Sequence, residues 1–330
     1  MRAPRATLWM ALLVAVVVSA CASPPYMPAR VTPPVQAHGN VARHEGFFTG
    51  QDGAELYEQS WQAASPSAVL VIVHGLKDHG SRYDAFASRL VEDGVSVYAA
   101  DLRGHGHSDG IRVYIDAFEQ YVGDLDTLLA FVRAREPGKP IFLFGHSMGG
   151  AIAALYVIDN KPPPVAGLIL SAAALRADVS VFKSFGTTLA TGLSPHGGVF
   201  QLDLHDFSRN PDVVEAGLSD PLIYQGAAPA RTAKQLLRAI GDIDDRMEGV
   251  GVPLLILHGT LDRITPPEGS QELYRRASSV DKTLNLYDGL FHDLLHEPEK
   301  DRVTRDISAW IAKHASAAAA ATAPPAGATR

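Results

Sequence analysis

The chain has 330 residues, of which 46% are hydrophobic and 20% charged, and its formal net charge is −7. That length and apolar content suffice for a large buried core and exclude a chain that is disordered throughout. Basic residues are not in excess, so the composition argues against a nucleic-acid partner gripped through its phosphates. The single cysteine, Cys21, excludes an internal disulfide and a metal site built from several thiolates.

Residues 1–20 have the pattern of an export signal. A basic start, MRAPR, precedes an apolar run over residues 8–20, which at about 13 residues is too short to cross a ~30 Å hydrocarbon core as a helix. The run ends in VSAC, which resembles a bacterial lipobox, the motif whose cysteine is lipidated and becomes the new N-terminus. We therefore predict a signal peptide over 1–20 and a lipid anchor on Cys21 that holds the exported protein at a membrane of the bacterial cell envelope. The alternative is an ordinary signal peptide followed by an incidental cysteine.

Two further segments are predicted to lie outside the globular body. Residues 21–42 are rich in proline and have no periodicity, which indicates a tether between the membrane and the body. Residues 315–330 are mostly alanine with two prolines and no apolar face, which predicts a disordered tail. The globular domain is therefore expected over about 43–314.

Within the body, short apolar runs alternate with longer amphipathic stretches. Residues 46–61 predict an antiparallel hairpin. Strands are then predicted at 67–73, 95–100, 140–144, 165–170, 253–257 and 283–287. These runs are apolar on both faces, as in a parallel sheet covered by helices. The alternation predicts an α/β fold with a doubly wound, mostly parallel sheet, which binds ligands beyond the carboxyl ends of its strands.

The alternation breaks between about residues 174 and 240. This region lacks a strong strand pattern and contains predicted short helices such as Thr232 to Ile240. Long insertions are more often functional than not, so we interpret it as a helical cap over the ligand edge of the sheet. The alternative is a surface excursion without functional consequence.

The strongest local signal is GHSMGG at residues 145–150. It directly follows the predicted strand at 140–144 and precedes a helical stretch, AIAALYVI. A tight turn from strand to helix needs small residues beside the serine, and the helix directs its free N–H groups and positive dipole end towards it. The context predicts that Ser147 is a nucleophile, with a purely structural turn as the alternative.

A serine hydroxyl needs a base, which in turn needs an acid to orient it. Asp262 follows the predicted strand at 253–257, and His292 follows the one at 283–287. The order Ser147, Asp262, His292 is that expected for a nucleophile elbow on such a sheet. The tetrahedral oxyanion needs two N–H donors, which we assign to the backbones of Met148 and of Leu76, in the turn after the first predicted core strand.

Neighbouring residues offer weaker interpretations. Asp293 adjoins the histidine, but sequence neighbours rarely face one another, and His258 and His146 are expected to pack in or beside their strands. The segment from His292 to His296 imitates a zinc motif, but it follows a strand and a turn rather than lying within a helix, so no metal is predicted. The glycine-rich segment 104–110 has its third glycine one position late for dinucleotide binding, so no cofactor is predicted.

Taken together, these motifs resemble the monoacylglycerol lipases among the serine α/β-hydrolases, a family that includes lysophospholipase-like and related esterases. The resemblance covers about residues 44–314. It is carried by HGLKDHGSRY at 74–83, DLRGHGHS at 101–108, GHSMGG at 145–150, DPL at 220–222 and the segments around Asp262 and His292.

The resemblance implies an α/β-hydrolase fold with a cap and the hydrolysis of monoacylglycerol-like lipid esters through an acyl-enzyme. By position it also implies that Asp78 and Arg82 lie near the glycerol-binding end of the site. The family's animal members often have a second histidine three residues after the catalytic one, whereas His296 is four residues after His292. Alternatives within this chemistry are a lysophospholipase or a short-chain esterase. From another class, the protein could be a catalytically idle binding module of the envelope.

Overall fold

The computed structural model describes residue 41 and residues 43–161, 163–177 and 194–322. The predicted signal peptide, the lipidation site Cys21 and nearly all of the predicted tether lie outside the described residues, as do residues 178–193 of the predicted cap and residues 323–330.

Eight of the described strands form one mixed sheet in the order β1-β2-β4-β3-β5-β6-β9-β10. The ten described strands are β1 (Arg43–Thr49), β2 (Glu55–Trp61), β3 (Ala68–Val73), β4 (Val95–Ala100), β5 (Ile141–His146), β6 (Gly167–Ser171), β7 (Gly198–Phe200), β8 (Ala228–Pro229), β9 (Leu254–Gly259) and β10 (Lys282–Tyr287). β2 pairs antiparallel with β1 and β4, and the other pairings in this sheet are parallel. The predicted doubly wound α/β fold is confirmed, and the six predicted core strands begin within two residues of their predicted positions.

Helices cover both faces of the sheet. The described helices are α1 (Asp84–Glu92), α2 (Glu119–Arg135), α3 (Met148–Asp159), α4 (Pro211–Ser219), α5 (Ala230–Asp245), α6 (Pro267–Arg276) and α7 (Lys300–Thr322). Alternate residues of the buried strand β3 enter two separate cores. Val69, Val71 and Val73 pack in the core with α2, α3 and α5, and Leu70 and Ile72 pack in the core with α1 and α7. This two-sided burial explains why the strands are apolar throughout.

The strand register determines where the site forms. Val73, the last residue of β3, pairs with Gly145, and His146, the last residue of β5, pairs with Ser171. The turns that follow β3 and β5 therefore start side by side at the carboxyl edge of the sheet. This adjacency brings the segment after β3 close to the GHSMGG turn.

Helices continue past two of the boundaries expected from the sequence. The disordered tail was expected from Ala315, but α7 continues to Thr322, because alanine has the highest intrinsic helix propensity and the first tail proline comes at Pro324. The predicted end of the cap at Ile240 falls inside α5, which runs to Asp245. Its apolar stripe extends beyond that point, since Ile243 is buried in the same core as Ile240.

The cap also contains a strand pair that its sequence did not indicate, because β7 and β8 are very short and pair antiparallel with each other. Among the helices in the described part of the chain, none is both long enough and apolar enough to span a bilayer.

Candidate active site

Ser147 occupies the strained turn between β5 and α3. Its backbone has φ 54° and ψ −121°, a conformation that residues with a side chain rarely adopt. The Ser147 N–H donates to the carbonyl of Ser171 (3.1 Å), and its carbonyl accepts from the N–H groups of Gly150 (2.9 Å) and Ala174 (2.9 Å). These bonds to the neighbouring strand and loop hold the strained conformation and present the serine at the start of α3.

Position 149, after Met148, requires a glycine because the backbone of the segment at the end of β3 approaches it closely. A Cβ atom at Gly149 would lie 2.1 Å from the carbonyl oxygen of Val73 and 2.4 Å from that of His74. Both distances are far below van der Waals contact, so any side chain there would push the segment after β3 away from the nucleophile. The small residues of the GHSMGG motif thus allow the two turns to meet.

Asp262 and His292 are joined by a buried hydrogen bond. The Nδ1 of His292 lies 2.8 Å from Asp262 Oδ2, and both side chains are inaccessible to solvent. The other carboxylate oxygen accepts from the backbone N–H groups of Ile264 (2.8 Å) and Thr265 (3.0 Å). Burial alone would raise the pKa of Asp262, but the imidazole of His292 and a hydrogen bond from His258 hold it well below its usual range. The acid therefore stays ionised and orients the imidazole.

The bond to Asp262 leaves the other ring nitrogen of His292, Nε2, on the opposite side of the imidazole. This buried Nε2 has no hydrogen-bond partner among the described residues. The His292 ring packs 4.8 Å from the ring of His146, the residue before the nucleophile, and 5.4 Å from that of Phe207 in the cap. Among the described residues no hydrogen bond joins Ser147 to His292, and such catalytic bonds often tighten only when substrate binds.

His258 is a functional neighbour that sequence reasoning missed. Its Nε2 lies 3.0 Å from Asp262 Oδ2 and 3.0 Å from the carbonyl of Thr265, and its Nδ1 lies 2.7 Å from Ser270 Oγ. Because Nε2 faces two acceptors, we assign the proton to it, so Nδ1 accepts from the serine hydroxyl. The expectation that His258 packs in its strand is correct, but the side chain also contacts the acid. The sequence signal for this contact is the spacing of four residues between His258 and Asp262.

The two predicted oxyanion donors lie in the turns on either side of the nucleophile. The N–H groups of Leu76 and Met148 donate no hydrogen bond to the described part of the chain. A Cβ at Gly75 would lie 3.1 Å from Ser147 Cβ, which shows how closely the turn after β3 approaches the serine. Two free N–H groups at such a position suit a developing oxyanion.

Asp78 and Arg82 belong to a buried chain of charges. Arg82 Nη1 donates to Asp78 Oδ1 (2.9 Å), and Arg82 Nη2 donates to Asp293 Oδ2 (2.8 Å). Tyr83 donates its hydroxyl to Asp78 Oδ2 (3.0 Å), and His296 Nδ1 lies 2.8 Å from Asp293 Oδ1. Burial opposes the ionisation of both aspartates, but Arg82 holds the pKa of Asp78 well below its usual range, and His296 together with Arg82 does the same for Asp293. The chain links the turn after β3 to the loop that carries His292.

A cavity lies beside the oxyanion turn under the described part of the cap. It is lined by Leu76, Lys77, Asp78, Arg82, Leu202, Leu204, Phe207, Ile223, Tyr224 and Gln225. The resemblance placed Asp78 and Arg82 at the glycerol end of the site, and both line this cavity while also forming the ion pairs described above. One cavity thus combines apolar cap residues with charged groups from the turn.

No group of three or more metal-ligating side chains occurs among the residues that the structure describes. In the segment that imitates a zinc motif, His292 faces Asp262, whereas His296 directs its two ring nitrogens to Asp293 and to the carbonyl of Arg82 (3.0 Å). The two histidines therefore serve different partners.

Comparison with known proteins agrees with this geometry. The family model described as Hydrolase_4, serine aminopeptidase S33, matches residues 64–299. The chain is 35% identical to a monoacylglycerol lipase of Mycolicibacterium smegmatis over 280 residues, which cover 82% of this chain and 98% of the relative. It is 33% identical to the monoglyceride lipase of Mus musculus over 280 residues, covering 83% and 92% of the two chains.

Among solved structures, the monoacylglycerol lipase of Paleococcus ferrophilus matches with a TM-score of 0.67 and 30% identity, over 79% of this chain and 99% of that one. The family match spans β3 to β10, the GHSMGG turn and the segments that carry Asp262 and His292. The chain therefore belongs to the Hydrolase_4 (S33) family of serine α/β-hydrolases.

Proposed function

We propose that this serine ester hydrolase cleaves monoacylglycerols and similar lipid esters while anchored to a membrane of the bacterial cell envelope through Cys21. The observation that carries the chemistry is the buried hydrogen bond of 2.8 Å between His292 and Asp262, beside a serine in a strained turn at the start of a helix. The substrates named for the relatives, a monoacylglycerol lipase and a monoglyceride lipase, support the choice of a lipid ester.

In this mechanism Ser147 Oγ attacks the ester carbonyl while His292 Nε2 takes its proton. The N–H groups of Leu76 and Met148 stabilise the oxyanion of the tetrahedral intermediate. The intermediate collapses to an acyl-enzyme, and His292 returns the proton to the departing alcohol. A water molecule, deprotonated by the same nitrogen, then releases the fatty acid and restores the serine. Asp262 stays ionised throughout and stabilises the imidazolium.

The nucleophile is tested by Ser147→Ala. We expect kcat/KM for 1-decanoylglycerol to fall by at least about 10⁴-fold, with an unchanged circular dichroism spectrum, because the first bond can no longer form. Ser219→Ala is the matched control, because among the described residues this hydroxyl bonds only to carbonyls of its own helix. Substantial residual turnover in the Ser147 variant would overturn the assignment.

A fluorophosphonate probe separates the enzyme from the idle binding module. The proposal requires labelling of the wild-type protein at Ser147 and none in the alanine variant. An unlabelled but folded wild-type protein would favour the binding module. Turnover of a matched panel of monoacylglycerols, lysophospholipids and nitrophenyl esters then ranks the substrate classes.

The anchor is tested by Cys21→Ser in the full chain, expressed in a bacterium that processes lipoproteins. Support comes from the VSAC sequence and the proline-rich stretch that follows it. We expect the wild-type protein in the membrane fraction and the variant in the soluble exported fraction. The lipid would be attached through the sulfur of Cys21, which serine lacks. Equal membrane partition of the two would overturn the anchor and leave the esterase proposal untouched.

A further inference from the structure

One edge of β10, the last strand of the large sheet, has no partner strand in the described part of the chain. On its inner side β10 pairs in parallel with β9, and the carbonyls of Asp281 and Tyr287 accept hydrogen bonds from that side. Because the backbone groups of a strand point alternately to its two edges, the N–H and C=O groups of Lys282, Leu284 and Leu286 point outwards. An open row of this kind is a template for pairing with another strand.

Exposed apolar side chains are concentrated around this open edge. Among the described residues five large hydrophobic side chains are exposed, and four of them lie between residues 261 and 286, whereas the fifth is in the cap. Leu286 is on β10 itself, and Val280 lies two residues before the strand. Leu261 lies two residues after β9, and Tyr274 is on α6, which packs against β10. Such a concentration of exposed apolar side chains is typical of an interaction surface.

The sequence of this edge is complementary to itself in reverse. Residues 282–288 read KTLNLYD. When two copies run antiparallel with Asn285 facing Asn285, Leu284 faces Leu286 and Lys282 faces Asp288. The outward-pointing residues then face one another and exchange both backbone hydrogen bonds, as an antiparallel ladder requires. A shift of one residue would lose these bonds, and a shift of two would place a charged residue opposite a leucine. Charge complementarity therefore selects the register centred on Asn285.

Both charged residues keep hydrogen-bonding capacity for this pairing. The ammonium of Lys282 donates to the carbonyl of Ala277 (2.6 Å), and the exposed Asp288 accepts from the hydroxyl of Thr260 through Oδ1 (3.2 Å). An ammonium has three donors, and a carboxylate has about four acceptor positions. Residues two apart on a strand share a face, so Lys282 and Asp288 project from the same face as Leu284, which packs against the core on that side.

We propose that the protein forms a two-fold symmetric dimer in which β10 pairs antiparallel with β10 of a second copy. The two eight-stranded sheets then become one continuous sheet. Each contact occurs twice in a two-fold interface, so both pairs of leucines and both pairs of Lys282 with Asp288 form together. The pairing also removes the open edge of each copy, which would otherwise promote uncontrolled association. This inference is independent of the proposed ester hydrolysis.

The oligomeric state is measured on the full chain carrying Cys21→Ser, which has no cysteine left. We expect sedimentation equilibrium over the micromolar range to show a monomer–dimer equilibrium. Leu286→Lys should weaken dimerisation by about tenfold or more, because an ammonium would be buried against Leu284 of the second copy. Leu218→Lys, at the exposed leucine of the cap, is the matched control. A protein that stays monomeric throughout this range would overturn the inference.

Reversal of charge tests whether Lys282 and Asp288 face one another. Lys282→Asp and Asp288→Lys each place like charges opposite one another twice in the dimer, so each alone should dimerise about tenfold more weakly or worse. Mixing the two variants should restore dimers that contain one chain of each, because opposite charges then face again. Lys234→Asp, at an exposed lysine on α5, controls for the change in net charge. Equal dimerisation of the single variants, their mixture and the parent would contradict the proposed interface.

Single cysteines determine the register directly. In the proposed dimer the two copies of Asn285 form a non-hydrogen-bonded pair, whose Cα atoms lie about 4.5 Å apart and within the range of a disulfide. Asn285→Cys in the Cys21→Ser chain should therefore form an intermolecular disulfide on mild oxidation. Leu284→Cys would lie diagonal to its own copy and should crosslink much less. With circular dichroism showing both variants folded, preferential crosslinking at residue 284, or at neither position, would overturn the inference.

Discussion

At the scale of single residues, the acid of the site is more heavily bonded than a catalytic triad requires. Asp262 Oδ2 lies near His292 Nδ1 (2.8 Å), His258 Nε2 (3.0 Å) and Thr265 Oγ1 (2.8 Å). All three groups interact with the same carboxylate oxygen. The contact from His258 therefore weakens the electrostatic stabilisation that Asp262 gives to the imidazolium of His292. His258 thereby acts as a positioning residue with an electrostatic effect on the base.

His258→Leu should lower kcat/KM by about tenfold or more and shift the acidic limb of its pH profile upwards. The rate falls because Asp262 loses a hydrogen bond to its charged carboxylate. The acidic limb shifts because Asp262, with one donor fewer, stabilises the imidazolium of His292 more strongly. Ser270→Ala, which removes the hydroxyl bonded to His258 Nδ1, should act in the same direction but more weakly. A lower rate with an unshifted pH profile would reduce His258 to a packing role.

At the scale of elements, the DPL segment of the cap (residues 220–222) is fastened to two loops at the sheet edge. His79 Nε2, in the segment after β3, lies 2.9 Å from Asp220 Oδ2. Arg112, after β4, donates to the carbonyl of Leu222 (2.5 Å) and to that of Gly106 (3.2 Å). One of these two loops, the segment after β3, also carries the oxyanion turn, which couples the position of the cap to the site.

Asp220→Ala should raise KM for long-chain monoacylglycerols several-fold and change the free energy of unfolding by less than about 1 kcal/mol. Asp220 is partly exposed, so its contact with His79 contributes little to global stability, but the loss of that contact frees the segment that covers the cavity. Asp212→Ala, in the exposed first turn of α4, is the control. Faster hydrogen exchange confined to residues 220–224 would support the explanation, and an unchanged KM would contradict it.

At the scale of the whole molecule, the sheet buries histidines along the edge that carries the site. His74, His105 and His146 are almost fully buried after β3, after β4 and at the end of β5. Burial lowers the pKa of His105 to about 3 and that of His146 to about 4, and it also lowers that of His74. These side chains are neutral in the folded protein, whereas the unfolded chain protonates them below about pH 6.5. Their contribution to stability is therefore complete above pH 6.5 and is lost as the pH falls towards 4.

His105→Gln should weaken this acid sensitivity. Below pH 6.5 the free energy of unfolding of the wild-type protein should fall more steeply than that of the variant, by a difference that approaches about 1.4 kcal/mol per pH unit. Urea unfolding at pH 7.0, 6.0, 5.5 and 5.0 measures both slopes, and other titrating groups cancel in the difference. His205→Gln, at an exposed position, should keep the wild-type slope. Parallel curves for wild type and His105→Gln would refute the explanation.

The sequence by itself determined the strands, the alternation that leads to a doubly wound sheet, and the order Ser147, Asp262, His292. These features are encoded locally, because apolar periodicity marks a strand and small residues mark the sharp turn where that strand ends. The family motifs are local for the same reason. α7 continues past Ala315, where the sequence predicts the start of a disordered tail, because the helix propensity of alanine outweighs the absence of an apolar face.

Only the tertiary structure decided which side chains meet at the edge of the sheet. Arg82 and Asp293 are 211 residues apart in the chain and pair at 2.8 Å, because β3 lies inside the sheet and its following turn faces the loop after β10. The contact of His258 with the catalytic acid and the burial of Lys77 likewise depend on the strands, loops and cap residues that surround them. Such partners follow from three-dimensional packing, which local sequence patterns do not contain.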